Sequence, residues 1–404
     1  MAHNYMKYGA LSALLIASIN MQAAQEGTTR YTILTQSPEQ HIQHFGASDA
    51  WSMQFLGLWS EKQQEQIADW LFSTENDALG KPKGIGLSIW RFNLGAGSEE
   101  QGEASQIQPG TRTQCFLNAD GTYDWSKQAG QRKFLKLAKQ RGVPYFLAFC
   151  NSAPVFYTKN GLATNTGRGG TINLKDDATA NSESSSPHLS KASKSTMAST
   201  STTSAYQRAG WTLELDRTEA GRNPSHQPRV AKVAKEVSKA LVKNKLNTEI
   251  LINESSDYRC MLGTHMADWQ RGYEINSFFT KDSTQTYLGK TKQLLPLIGA
   301  HSYWTNTPIP YMREIRMKIR EACKQKNIKF WQTELCIMGN DEEIGGGTPY
   351  DFSMKTASMW LVSSIMTWYM PMPRAGAGGV LQAVTTAMDS SAYTARMDGR
   401  AAGQ

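Results

Sequence analysis

From Gly84 to Cys336 the chain repeats one unit: a short run that is apolar on both faces and ends in polar residues, then an amphipathic helix. The runs are "GIGLSIWRFNLGAGS", "VPYFLAFCNSAP", "TEILINESSD", "PLIGAHSYWT" and "IKFWQTELC". The segments "WSKQAGQRKFLKLAKQRG", "VAKVAKEVSKALVKNKL" and "PYMREIRMKIREACKQKN" follow a helical period, and the first stops at Gly142. Upstream, "SEKQQEQIADWLFS" predicts another helix with Ser60 as its N-cap, after an extended lead-in that ends in "FGASDAWS". A strand apolar on both faces belongs in a parallel sheet covered by helices. An open doubly wound sheet satisfies that pattern. Polar residues at one strand end after another favour a closed (β/α)8 TIM barrel, whose chemistry collects at that rim.

Taken in order, the strand ends supply Asp49 and Trp51, Arg91 and Asn93, Asn151, Asn253 and Glu254, His301, Tyr303 and Trp304, and finally Glu334. Carboxylates, amides, a histidine, an arginine and aromatics around one rim suit a sugar. Aromatic faces stack on pyranose rings, amides and imidazole bond hydroxyls, and a carboxylate stabilises an oxocarbenium-like transition state. Each residue also has a plainer reading. Glu334 could be the structural partner of an arginine, Arg91 could neutralise a rim carboxylate, His301 could be a satisfied core histidine, and Trp51 and Trp304 could pack in the core.

Other chemistries lack their signatures. No nucleophile elbow accompanies a Ser–His–Asp order, and "LGAGS" is not the full dinucleotide fingerprint. The net charge is +8, but no dense Lys/Arg cluster suggests a nucleic-acid groove. Five cysteines, an odd number without metal-like spacing, predict neither a disulfide framework nor a zinc site. No metal or organic cofactor is implied. At the N-terminus, Lys7 precedes an apolar run to about Ile19 and small residues at Ala23 and Ala24, the layout of a secretory signal peptide over residues 1–24. No later segment reads as a membrane span, so a secreted or periplasmic location is expected.

The stretches "FGASDAWS", "RFNLGAGS", "FCNSAPVFYTKNG", "AHSYW" and "WQTELC" occur in the order found in glycoside hydrolase family 30, which the chain resembles from about Phe45 to Cys336. The resemblance lies nearest to endo-β-1,6-galactanase-like members. It implies a (β/α)8 barrel with a side β-sandwich built from both chain ends, and retaining hydrolysis of a polysaccharide or oligosaccharide by two glutamates. Matched by motif, Glu334 in "WQTELC" would be the nucleophile on the seventh strand. The acid/base would be the glutamate of an Asn-Glu-Pro motif ending the fourth strand, and this sequence has no such motif. Glu254 matches the fifth strand, one unit too late, and is expected to be a poor substitute for the acid/base. A Glu254–Glu334 carboxyl separation near 5 Å would speak for it, and one beyond about 10 Å against it.

The fourth strand should lie in a stretch where, from Ala178 to Ser204, 15 of 27 residues are Ser or Thr. Such a composition is not expected to build a buried strand. Back-translation suggests a displaced reading frame. Codons for Gln207, Arg208 and Ala209 can be written CAA-CGA-GCC, which one nucleotide on contains AAC-GAG-CC, the missing Asn-Glu-Pro. Residues 359–382 can likewise be read two nucleotides on as a family-like last helix and Trp-rich eighth strand. The expected organisation is therefore a signal peptide over 1–24 and a sandwich strand over 31–44. A barrel follows over 45–382, aberrant at 178–228 and 359–382, and then a degraded start of the C-terminal sandwich over 383–404. The expected activity is that of a retaining β-glycosidase impaired by loss of its acid/base. The alternative is a non-catalytic carbohydrate-binding protein derived from it.

Overall fold

The computed structural model describes residues 36, 43–49, 52–107, 109–164, 173–175, 202–205, 227–255, 257–263, 272–281, 285–302, 305, 308–334 and 359–362, with 202–205 and 359–362 described as backbone. The chain divides into units 1–39 and 40–404, and the fold below is that of the second. Eight parallel strands close into a barrel in chain order. They are β1 (His44–Ser48), β2 (Ile89–Asn93), β3 (Tyr145–Phe149), β4 (Thr202–Ala205), β5 (Glu249–Ser255), β6 (Leu294–His301), β7 (Lys329–Glu334) and β8 (Met359–Val362). The helices are α1 (Met53–Leu56), α2 (Glu61–Phe72), α3 (Ser98–Gln101), α4 (Ala129–Gln140), α5 (Gln227–Lys243), α6 (Tyr258–Leu262), α7 (Glu274–Phe279) and α8 (Ile309–Gln325). Among the described residues no helix is long and apolar enough to cross a membrane.

Local chemistry accounts for the long helices. Ser60 caps α2 in a reciprocal box, its Oγ accepting from the Gln63 amide while Gln63 Oε1 accepts from the Ser60 amide. Ile67, Ala68, Leu71 and Phe72 then form its buried stripe. After α4 the chain turns at Gly142, whose φ of 79° is reached without strain only by glycine. Arg141 at that turn bonds Asp69 and Glu65, tying α4 to α2.

Strands β2, β3, β5, β6 and β7 each serve two cores. On β2, Trp90 and Phe92 face the helices with Phe72 and Phe134, while Ile89 joins Leu147, Phe149, Leu251, Leu297 and Trp331 inside the barrel. Strict alternation puts Arg91 and Asn93 on the same inner face as Ile89. That two-sided burial is why the strands read as continuous apolar runs.

Three expectations need correction. The Ser/Thr stretch does supply the fourth strand, because Thr202–Ala205 pairs with β3 on one side and β5 on the other. A ladder is made by backbone groups, and threonine suits an extended chain when both neighbours are already in place. Met359–Val362, in the other segment read as aberrant, likewise pairs with β7 and β1 and closes the barrel. His44, assigned to the sandwich strand, is the first residue of β1. The rest of the expected 31–44 strand lies almost wholly outside the described residues. So do the signal segment and residues 383–404.

Candidate active site

At the C-terminal rim, Arg91 on β2 forks between two carboxylates. Its Nη1 donates to Glu334 Oε2 at 2.9 Å and its Nη2 to Glu254 Oε2 at 2.6 Å. The guanidinium is buried and lies over the Phe149 ring, 3.4 Å from the centroid. His301 at the end of β6 completes the cluster, with Nε2 3.0 Å from Glu254 Oε2 and Nδ1 3.7 Å from Glu334 Oε1. Four predicted residues from four strands thus meet at one point.

Backbone irregularities aim both carboxylates. On β5, Ile250 and Ile252 face the helices and Leu251 faces the interior, so alternation would send Glu254 outward. The β5–β6 register shifts between Asn253 and Ser255, and Glu254 takes a positive φ of 64°. On β7, Phe330 faces out and Trp331 in, which would also send Glu334 outward. There the register with β6 shifts between Ala300 and His301. A bulge re-aims the side chain that follows it, and here one bulge serves each glutamate. Gly299 keeps the space clear, since a Cβ there would stand 2.8 Å from Thr333 Cγ2 and 3.2 Å from Glu254 Oε1.

The electrostatics assign different states to the buried carboxyls. Burial opposes the charge on Glu254, but Arg91 and His301 outweigh it and hold the group down at about 2. Burial also works against the Arg91 cation, and Glu254 and Glu334 more than compensate, raising its pKa. Asp49 is buried as well, and there desolvation wins over the Asn93 amide and Arg91, leaving its pKa well above the usual carboxylate range. Asp49 Oδ1 accepts from the Asn93 amide at 2.8 Å and so braces β1 against β2. Asn93 and Asn151 line one small cavity beside the rim, apart from the Arg91 cluster. Trp51, Tyr303 and Trp304 lie outside the described residues.

Glu254, His301 and Glu334 each offer a metal-ligating atom, all within 4.8 Å of one another. Arg91 already supplies the positive charge that a cation would bring to that point. The same spacing bears on glycosidase chemistry. Retaining pairs stand about 5–5.5 Å apart and inverting pairs about 6.5–9.5 Å. One oxygen of Glu254 and one of Glu334 lie within 4.8 Å, well inside the separation of about 10 Å that would speak against the pair. Glu254 does not meet the protonation criterion, because a carboxyl held at about 2 has no proton to give at neutral pH.

Two buried acids, Asp257 and Glu274, do not stand out in the sequence. Glu274, in the first turn of α7, resembles any acid at a helix start, and nothing in "YEINSFF" marks it as buried. Desolvation lifts it to about 8, against the lowering effect of Asn253 and Ser255 and with a small further rise from Asp257. Glu254 and Glu274 have opposite linkage. From its ordinary 4.5 down to about 2, loss of the Glu254 charge removes stability as pH falls. Between 4.5 and about 8 the folded state keeps a proton on Glu274 that the unfolded chain has lost, so stability falls as pH rises. Glu274→Gln is expected to flatten that second slope in urea titrations at pH 5, 6, 7 and 8. An unchanged slope would show that Glu274 ionises freely.

Comparisons with known proteins fit this barrel and rim. The O-glycosyl hydrolase family 30 profile matches residues 28–366. A conserved exported protein from Bacteroides fragilis is 31% identical, with a TM-score of 0.73 over 81% of this chain and 70% of its own. Two family 30 xylanases share the fold. That from Talaromyces cellulolyticus is 18% identical with a TM-score of 0.53, covering 86% of this chain and 75% of its own. That from Clostridium acetobutylicum is 16% identical with a TM-score of 0.51, covering 87% and 72%. No curated protein matches significantly. With the family profile running through all eight described strands, and the paired carboxylates standing where the barrel collects its chemistry, the chain belongs to glycoside hydrolase family 30.

Proposed function

We propose that this chain is a retaining β-glycoside hydrolase of β-1,6-linked galactan or a related polysaccharide, with Glu334 as nucleophile, and that as written it is impaired in leaving-group protonation. The observation that carries the reading is the Arg91 fork, which presents Glu334 to the rim while keeping its neighbour Glu254 ionised. In the first step a Glu334 oxygen bonds to the anomeric carbon as the glycosidic C–O bond breaks, and the departing oxygen keeps the bonding pair. A sugar alkoxide leaves readily only if a carboxylic acid gives it a proton. In the second step water must be deprotonated as it releases the sugar from Glu334.

The displaced-frame reading gains support from the position of β4. That strand ends at Ala205, and the codons able to hide Asn-Glu-Pro overlap Gln207–Ala209, where a rim residue of the fourth strand would stand. In this reading the chain ends contribute a partial side sandwich, and residues 1–24 direct export. The exported nature of the Bacteroides fragilis protein supports that location. Because two structural neighbours are xylanases, xylan belongs on the assay panel beside β-1,6-galactan and β-1,6-glucan.

Leaving-group dependence tests the proposal. Dinitrophenolate departs without a proton, so a dinitrophenyl glycoside of β-1,6-galactobiose is expected to be cleaved while the polysaccharide is scarcely touched. Azide, which needs no general base, should accelerate turnover, and Glu334→Gln should abolish it. Rapid cleavage of the polysaccharide that Glu254→Gln removes would instead make Glu254 the working acid/base. Saccharide binding with no turnover of either substrate, unaffected by Glu334→Gln, would identify a carbohydrate-binding protein.

A further inference from the structure

We infer that the groove between α1 and the long β2–α4 connection is an outlying subsite for the polysaccharide chain; the inference rests on the carbohydrate reading above. The cavity there is about 630 Å³, within the range of small-molecule sites. Its place follows from topology. Helix α1 begins just past the C-terminal end of β1, residues 94–128 leave the C-terminal end of β2, and α4 starts where that connection ends. All three therefore border the rim that carries Arg91, Glu254 and Glu334.

The walls are fastened to the catalytic strand. Gln128 Nε2 donates to the Asn93 carbonyl at 2.9 Å, two residues along β2 from Arg91. Across the groove, Gln54 Nε2 donates to the Gly110 carbonyl at 3.3 Å, and the Gln128 amide donates to Gln114 Oε1 at 2.7 Å. Helices α1 and α4 touch so closely that a Cβ on Gly57 would stand 2.2 Å from the Gly130 carbonyl oxygen. A pre-formed groove spends little of a ligand's binding energy on ordering.

The lining favours a neutral, hydroxyl-rich chain. Acidic Glu99 and Asp124 are matched by basic Arg112 and Lys127, which selects against a polyanion or a polycation. Arg112 Nε is committed to the Ile107 carbonyl at 2.8 Å, which holds the guanidinium in place with its Nη groups available to hydroxyls. Half-buried Phe55 and Leu58, which is 69% exposed, give an apolar floor of the kind that covers the C–H face of a sugar. The groove is lined by α1, the start of α4 and the connection before it, and its volume of about 630 Å³ exceeds what a single ring fills, so it suits a continuing chain.

Calorimetry on the Glu334→Gln protein, which holds substrate without turnover, tests this with the β-1,6-linked galactose disaccharide and hexasaccharide. The hexasaccharide is expected to bind more tightly. Leu58→Arg, at a site that is mostly exposed, and Arg112→Gln should each weaken it by about tenfold, in keeping with the loss of an apolar contact or a charged hydrogen bond, and leave the disaccharide unchanged. Equal affinity for the two lengths, or hexasaccharide affinity indifferent to both variants, overturns the subsite while leaving the catalytic reading intact. Failure of both, and of the corresponding glucan and xylan oligomers, to bind overturns the carbohydrate reading and the subsite with it.

Discussion

Arg91→Met is expected to destabilise the protein by about 3–5 kcal/mol at pH 7, the usual cost of removing one partner from a buried ion pair. Two acceptors lose their donor at once, because Glu254 and Glu334 both bond the same guanidinium and neither has appreciable exposure. Methionine retains much of the packing against Phe149, so the loss reports the charge rather than the volume. Without Arg91 the main force holding Glu254 near 2 is gone, and burial then favours its protonated form. The deficit should therefore shrink as the pH is lowered toward 4, and Arg91→Met combined with Glu254→Gln should recover part of it. Chemical denaturation of the three proteins across that range measures the effect. A loss below about 1 kcal/mol at pH 7 would mean that water reaches the pair and the fork is only a surface ion pair. Arg91→Lys is not a conservative control, since an ammonium group does not reproduce the planar two-pronged geometry.

Restoring the frame that we propose to be displaced over residues 178–228 is the second large effect. The rebuilt protein, carrying Asn-Glu-Pro after β4, is expected to cleave β-1,6-galactan about 10²–10⁴-fold faster, the range that general acid–base catalysis supplies. The dinitrophenyl glycoside should gain far less in the bond-breaking step, because its leaving group never needed the proton. Comparing kcat/KM for the two substrates separates restored catalysis from mere improvement in folding, which would raise both equally. Stability should rise too, since an apolar fourth strand would bury surface that Thr202–Ala205 does not bring by composition. A soluble, folded, rebuilt protein with unchanged polysaccharide turnover would rule out the displaced frame as the cause of impairment.

Local chemistry in the sequence determined the barrel units and several candidate positions. The Ser60 box, the Gly142 turn and the helical stripes are short-range features, and two-sided apolar runs require a covered parallel sheet. Arg91, Glu254, His301 and Glu334 were all readable as strand-end residues. Their meeting was not, because alternation along a single strand sends Glu254 and Glu334 to the wrong face. Only the register between neighbouring strands contains the two bulges that turn them inward. The burial of Glu274 and the strand formed by Thr202–Ala205 are likewise consequences of neighbours distant in sequence. Composition reports what a segment can bury alone, whereas a ladder and a desolvated carboxyl depend on groups that the tertiary fold brings to it.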